Sequence, residues 1–157
     1  MKLLKSLSAA VFIAALTAGT AQARNAKPGN CAILAEMSAK TVEKDKRFAD
    51  HDDIAPALMK FSKAQDAKMQ AEMDDTYAQS AAFGWDKAKV DQMIKDKQKA
   101  GRAGFTGPTM EKDKLYMEHV QAVYACAQAQ KSPADLGQSP EALMAVLQKT
   151  AKIVMGQ

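Results

Sequence analysis

The chain has 157 residues, of which 22 are Lys or Arg and 18 are Asp or Glu, so its formal net charge is +4. Lysines alternate with aspartates, as in EKDKRFADHDD and IKDKQK, which is typical of a solvated helix surface rather than of a phosphate-binding stripe. The sequence therefore predicts no nucleic-acid partner, and its length predicts a single domain.

Residues 1–23 have the layout of a secretory signal. Lys2 and Lys5 form a short positive region, the apolar run LSAAVFIAAL follows, and the motif AQA ending at Ala23 offers a cleavage site. The apolar run is too short for a membrane anchor. We predict a mature domain of residues 24–157 that has net charge +2, because the leader removes two lysines and no acid, and that has no membrane span. The predicted location is the periplasm of a bacterial cell envelope, or beyond it by secretion.

Two helices are predicted in the first half of the mature chain. Asn30 is a suitable cap for a helix ending near Phe48, and Asp52 or Asp53 can cap a longer helix that ends at Gly84. At 1.5 Å per residue the second helix would be about 45 Å long. We therefore expect either a break in it or packing of the last helix along its remainder. The apolar positions of the first helix are Ile33, Leu34, Met37 and Val42, and those of the second include Ile54, Leu58, Phe61, Met69, Met73 and Phe83.

Three further helices are predicted downstream. Trp85, Asp86 and Val90 have the spacing of a hydrophobic staple around an Asp cap, for a helix ending near Ala100. The glycine-rich segment AGRAGFTGPT that follows predicts a connector rather than a phosphate-binding loop, because no Lys-Ser or Lys-Thr follows its last glycine. A fourth helix is expected from Pro108 or Thr109 to about Gln130. After a break at Ser132-Pro133, the fifth begins at Ser139-Pro140, with Leu143, Leu147 and Val154 on its apolar face.

Two cysteines, Cys31 and Cys126, remain after the leader, and neither has a second Cys or a His at metal-finger spacing. An exported chain folds where disulfides form, so we predict a bond between them. It would enclose 94 residues, for which loop-closure entropy gives up to about 4.6 kcal/mol. Four helices running up, down, up and down would bring these cysteines to one end. The predicted fold is an all-α, disulfide-tied antiparallel bundle of four to five helices.

Several side chains are candidate ligands for a metal or haem. Met69 and Met73 lie one helical turn apart, and thioether sulfur suits Cu(I). His119, with Met37, offers a ligand pair for haem or copper, although a histidine or methionine on an apolar helix face also fits ordinary core packing. His51, Asp52 and Asp53 form a polar cluster that either ligates a metal or begins the second helix.

No nucleophile with an adjacent base is recognisable, and no catalytic residue is assigned. We therefore expect a non-catalytic helical protein without a cofactor, which acts by binding a protein partner or a small ligand in the cell envelope. The candidate partner surface is the apolar face of the last helix: Leu143, Leu147 and Val154. Core packing is the alternative for that face. Two other functions stay open: a copper or haem carrier that uses His119 and methionines, and a hydrolase with paired carboxylates.

Overall fold

The computed structural model describes residues 27–80, 84, 86–104, 112–130 and 132–157, and among these the side chains of all but 80, 101–104, 112–116, 118 and 119. Within these ranges the regular elements are all helices, which confirms the all-α prediction. In chain order they are α1 (Pro28–Lys44), a 3-10 turn (Lys46–Phe48), α2 (Ile54–Ser80), α3 (Lys87–Gly104), α4 (Lys112–Ala129), α5 (Pro133–Leu136) and α6 (Pro140–Val154). The predicted leader, residues 1–23, lies outside the described residues.

Two of the predicted caps begin helices as expected. The Ser139 hydroxyl accepts a hydrogen bond from the Ala142 backbone N–H at 3.2 Å, at the start of α6. The Asp86 carboxylate accepts one from the Ala88 N–H at 3.0 Å, at the start of α3. That helix continues to Gly104, beyond the predicted end. Trp85 of the predicted staple, residues 105–109 of the predicted connector and the predicted start of α4 lie outside the described residues.

The first helix differs from the prediction at both ends. It begins at Pro28, after Lys27 in the extended conformation, so Asn30 lies inside the first turn instead of capping it. It ends at Lys44, because Asp45 is extended, with φ −94° and ψ 119°. The Asp45 carboxylate then accepts a hydrogen bond from the Arg47 backbone N–H at 2.9 Å and caps the 3-10 turn.

Ser132 and Pro133, predicted as a break, begin the short helix α5. The Ser132 hydroxyl accepts a hydrogen bond from the Ala134 N–H at 3.2 Å and begins it. Gly137 ends it with φ 67°, and a Cβ at this glycine would lie 2.6 Å from the carbonyl oxygen of Lys60. The connector between α4 and α6 therefore lies directly on the backbone of α2.

Helix α2 runs without a break for 27 residues, about 40 Å, so a broken helix was a wrong expectation. The alternative, packing of α6 along its remainder, is also wrong. Lys149 of α6 forms an ion pair with Asp53, just before the start of α2. This contact places α6 beside the beginning of α2 and not along its second half. The second half of α2 instead faces α3, as described below.

The core lies between α1, the first half of α2, α4 and α6. Small residues on α1, among them Ala32 and Ala35, allow α2 to approach closely, and the Ser62 hydroxyl donates a hydrogen bond to the Ala32 carbonyl at 2.8 Å. The predicted disulfide between Cys31 and Cys126 is present and joins α1 to α4 inside this core. The largest buried apolar side chains are Ile54, Leu58, Phe61, Val120, Val123, Leu136, Leu143 and Leu147.

On the predicted apolar face of α1, only Val42 is buried, whereas Ile33, Leu34 and Met37 are half-buried. Small residues form most of its buried face instead: Cys31, Ala32, Ala35, Ser38 and Ala39. None of the helices among the described residues combines the length and hydropathy needed to cross a bilayer.

Candidate functional site

Buried residues are unevenly distributed along the described chain. Those on α2 end at Gln65, and from residue 66 to residue 100 every side chain that the structure describes is half-buried or exposed. We call residues 66–80 of α2 together with α3 the hairpin. It contacts α1, but the described core buries none of its described residues up to residue 100.

The two helices of the hairpin are antiparallel. Gln98 of α3 donates a side-chain hydrogen bond to the sulfur of Met69 at 3.2 Å. Farther along α2, the Asp74 carboxylate lies 3.0 Å from the ammonium of Lys87. Residue numbers thus rise along one helix as they fall along the other, and long side chains make both contacts.

Lys87 organises the far end of the hairpin. Its ammonium binds Asp74 and also Asp91, at 3.3 Å, and lies 5.2 Å from the centre of the Tyr77 ring. The hydrogen bonds that Lys87 donates to Asp74 and, to a smaller extent, to Asp91 raise the pKa of Lys87. Desolvation raises the pKa of Tyr77, whose buried hydroxyl has no hydrogen-bond partner among the described residues.

This cluster bears on the hydrolase hypothesis, because it brings two carboxylates, those of Asp74 and Asp91, to one ammonium. The hydrogen bond from Lys87, followed by that from Gln70, lowers the pKa of Asp74. A general acid needs a carboxyl pKa that is raised toward neutrality. The arrangement therefore suits a structural ion pair, and the hydrolase hypothesis stays a prediction without residues assigned to it.

Opposite charges separate onto the two helices of the hairpin. Residues 66–80 contain four acidic residues and one basic residue, whereas α3 contains six basic residues and two acidic ones. Met93 of α3 is 48% exposed, and among the described residues only Met155 is a further large hydrophobic side chain with such exposure. The hairpin surface thus combines an acidic helix, a basic helix and an exposed thioether.

A cluster of polar side chains holds the connector between α4 and α6 against α2. Gln65, which is fully buried, donates from its amide to the Asp135 carbonyl at 2.7 Å. Lys68 donates to the Gln130 side-chain oxygen and, at 3.1 Å, to the Asp135 carboxylate. The Gln138 amide donates to a backbone carbonyl of α2 at 2.8 Å. These contacts join residues that lie more than 60 positions apart, and no local sequence motif indicates them.

Of the predicted thioether ligands, Met69 has contacts within the fold. The sulfur of Met69 accepts the hydrogen bond from Gln98 and would lie 2.7 Å from a Cβ placed on Gly29. Met73 is half-buried on α2 and Met37 is half-buried on α1. The backbone of His119 belongs to α4, but its side chain lies outside the described residues. Among the side chains that the structure describes, no three His, Cys, Asp or Glu residues converge as a metal site.

The predicted partner surface on α6 requires a correction. Leu143, Leu147 and Val154 are buried in the core, with exposures of 0%, 1% and 6%. This face of the helix is used to close the core against α2 and α4, so it is not free for a partner. The alternative, core packing, is the one that the structure supports.

The cluster at residues 51–53 also has a structural explanation. The Asp53 carboxylate binds the ammonium of Lys149 at 2.7 Å. This hydrogen bond is the main reason that the pKa of Asp53 lies below its ordinary value of 3.8. The backbone N–H of His51 donates a hydrogen bond to the Phe48 carbonyl at 2.9 Å. The cluster therefore forms part of the corner between α1 and α2.

No protein-family model matches this chain, and no curated protein and no solved structure matches it either. A function must therefore be argued from the residues themselves. The feature that the fold does not explain is the hairpin, because its exposed side chains contribute to no described core.

Proposed function

We propose that this is an exported, non-catalytic protein of the bacterial cell envelope that acts by binding another protein through the hairpin. The proposal rests mainly on the finding that no described residue from 66 to 100 is buried, although α2 and α3 are helical there. Ordering a segment costs conformational entropy, and this segment offsets little of it by core burial. A binding role accounts for a long surface that is ordered without serving the core.

The remainder of the chain suits a rigid support for this surface. We propose that the helices other than α3 form an antiparallel bundle, supported by contacts of α1 with α2 and α4, and of α4 with α6. The disulfide between Cys31 and Cys126 locks α1 to α4. A rigid support lowers the cost of binding, because less motion is lost when the partner docks.

Export is part of the proposal. It rests on the leader-like residues 1–23 and on the disulfide, a bond that persists in oxidising compartments and is rare in the reducing cytosol. The intact mass of the protein recovered from the exported fraction tests this part. We expect a chain beginning at Arg24 that is lighter by two hydrogens than the reduced form. A chain that retains residues 1–23 would contradict the cleavage.

The binding role is tested by affinity purification from the cells that export the protein, with matched variants. Met93→Glu places a charge on the hairpin surface, and Lys63→Glu places the same group on the exposed side of the first half of α2. We expect the first variant to lose a co-purifying protein that the wild type and the second variant retain. Loss from both variants, or from neither, would contradict the assignment of the hairpin as the binding element.

A further inference from the structure

Met69 of α2 lies where the hairpin meets the rest of the molecule, and we propose that it is a site of methionine oxidation that controls the attachment of α3. Conversion of its thioether to the sulfoxide releases α3 and leaves the disulfide-tied core folded. This inference goes beyond the proposed function and does not depend on it, because it concerns the chain by itself.

The sulfur of Met69 has a close neighbour from each of two other helices. The side-chain amide of Gln98, on α3, donates a hydrogen bond to it at 3.2 Å. On the side of α1, a Cβ placed on Gly29 would lie 2.7 Å from the sulfur, so the thioether packs directly on the backbone of this glycine. One sulfur atom therefore joins α1 and α3, while its own backbone belongs to α2.

The described residues give α3 few other means of attachment. Its backbone approaches that of α1 but stays largely apart from that of α2, and up to residue 100 none of its described side chains is buried. The ion pair of Lys87 with Asp74 is exposed, and such pairs stabilise little. A helix of 18 residues is only marginally stable in water without tertiary contacts. Loss of the Met69 contact should therefore loosen α3.

The oxidation balances with a peroxide as the oxidant. A lone pair of the sulfur attacks one oxygen of hydrogen peroxide, the S–O bond forms as the O–O bond breaks, and the departing hydroxide takes the remaining proton to become water. The sulfur loses two electrons and the peroxide gains them. Met69 is half-buried, so part of its side chain meets solvent. Methionine sulfoxide reductases reverse the step, so the modification can be switched in both directions.

The added oxygen does not fit the contact as it stands. An N–H···O hydrogen bond needs about 2.7–3.2 Å between nitrogen and oxygen, and the Gln98 nitrogen is already 3.2 Å from the sulfur itself. The new oxygen projects from the sulfur and is the stronger acceptor, so bonding to it moves α3 outward. The side facing Gly29 offers no room, because a Cβ there would already lie 2.7 Å from the sulfur. The sulfoxide is also polar, which disrupts packing made by an apolar thioether.

The exposed methionines provide the contrast to Met69. Met93 and Met155 are 48% and 39% exposed, so a peroxide reaches them at least as readily. An oxygen added to either side chain can project into solvent. Exposure thus decides where oxidation is fastest, whereas the two close neighbours of Met69 decide where it changes the structure.

Limited trypsin digestion of the purified mature protein tests the proposal, with and without prior treatment with hydrogen peroxide. Lys89, Lys97 and Lys99 are exposed on α3, and cleavage after them reports the population in which this helix has opened. Cleavage after Lys63 and Lys149, on helices of the core, reports opening of the core in the same digest. We expect peroxide to speed cleavage within α3 at least about tenfold and to leave cleavage in the core unchanged.

Two matched variants and one internal comparison assign the effect to Met69. Peroxide should speed cleavage of α3 in Met93→Leu as in the wild type, but not in Met69→Leu, and circular dichroism checks that both variants are folded. The internal comparison uses partly oxidised wild type. Chains that are cut within α3 should be richer in Met69 sulfoxide than uncut chains, whereas Met93 sulfoxide should be equally frequent in both. Tandem mass spectrometry locates each oxidised methionine.

Equal amounts of Met69 sulfoxide in cut and uncut chains would overturn the proposal, and so would faster cleavage of oxidised Met69→Leu. A Met69 that stays reduced while Met93 is fully oxidised would also overturn it. Faster cleavage of the core together with α3 would do the same, because Met69 would then support the whole fold. These measurements use the chain without a partner, so the affinity purification decides the proposed function separately.

Discussion

The side-chain amide of Gln98 donates a hydrogen bond to the sulfur of Met69 across 3.2 Å. With the ion pair between Lys87 and Asp74 near the other end, this contact holds α3 against α2 without any buried residue in the described part of the hairpin. The proposed function therefore assigns stability and recognition to different parts of the chain. The core and its disulfide supply the stability, and the hairpin supplies the surface.

This division predicts unequal effects of truncating matched aliphatic side chains. Leu147→Ala removes a fully buried side chain from the core and should lower the free energy of unfolding by about 2–5 kcal/mol. Ile94→Ala removes a half-buried side chain from α3 and should lower it by about 1 kcal/mol or less. Urea denaturation followed by circular dichroism measures both. Equal losses would mean that the hairpin belongs to the same cooperative core.

The disulfide should contribute strongly to stability, because Cys31 and Cys126 are 95 positions apart. Loop-closure entropy gives a stabilisation of up to about 4.6 kcal/mol, and strain in the bonded form would reduce it. We expect the variant Cys31→Ala/Cys126→Ala to denature at a much lower urea concentration than the oxidised wild type. Alkylation without prior reduction provides the control and should label neither cysteine of the wild type.

Two glycines with positive φ provide a matched test of the connector that lies on α2. Gly137 and Gly84 have φ values of 67° and 71°. A Cβ on Gly137 would meet the Lys60 carbonyl oxygen at 2.6 Å, whereas one on Gly84 would meet no atom of the described residues within 4 Å. Gly84→Ala should cost about 1 kcal/mol, from backbone conformation alone. Gly137→Ala should cost more, about 3 kcal/mol, because the backbones must also separate. Similar costs in urea denaturation would contradict the close contact.

The pair of Asp53 and Lys149 predicts a small pH-dependent contribution to stability. The hydrogen bond from Lys149 lowers the pKa of Asp53 in the folded state below 3.8. The contribution is therefore present above that value and is lost as the pH falls through the folded pKa. Because the side chains of Asp53 and Lys149 are 53% and 39% exposed, solvent screens the pair, and we expect Asp53→Asn to cost only about 0.5 kcal/mol at neutral pH. The difference from the wild type should disappear in strong acid, and a constant difference would rule out this ion pair as its source.

Local signals in the sequence predict much of the fold. Ser139 followed by Pro140 predicts the start of α6, because the hydroxyl caps the helix and proline fits its first position. The pair of cysteines predicts the disulfide, because a chain with two cysteines has one intramolecular pairing and its leader-like start predicts an oxidising compartment. Neither of these predictions requires knowledge of the tertiary arrangement.

The remaining features depend on contacts between distant residues. Gln65 with Asp135 and Asp53 with Lys149 meet only because of the tertiary arrangement, and neither pair has a motif. The face of α6 was open to two interpretations, since an amphipathic pattern does not indicate whether its apolar side meets the core or a partner. The hairpin was missed because α2 and α3 carry ordinary helical periodicity, and only tertiary burial separates the part of α2 that packs from the part that does not.

Photo-crosslinking inside the exporting cells tests the central claim most directly. A photoreactive amino acid replaces Met93 on the hairpin or, as the control, Lys63 on the first half of α2; both side chains are exposed. If the hairpin is the binding element, position 93 should give a discrete covalent adduct with a protein, and position 63 should give none. An adduct at position 63 alone, or none at either position, would contradict the assignment.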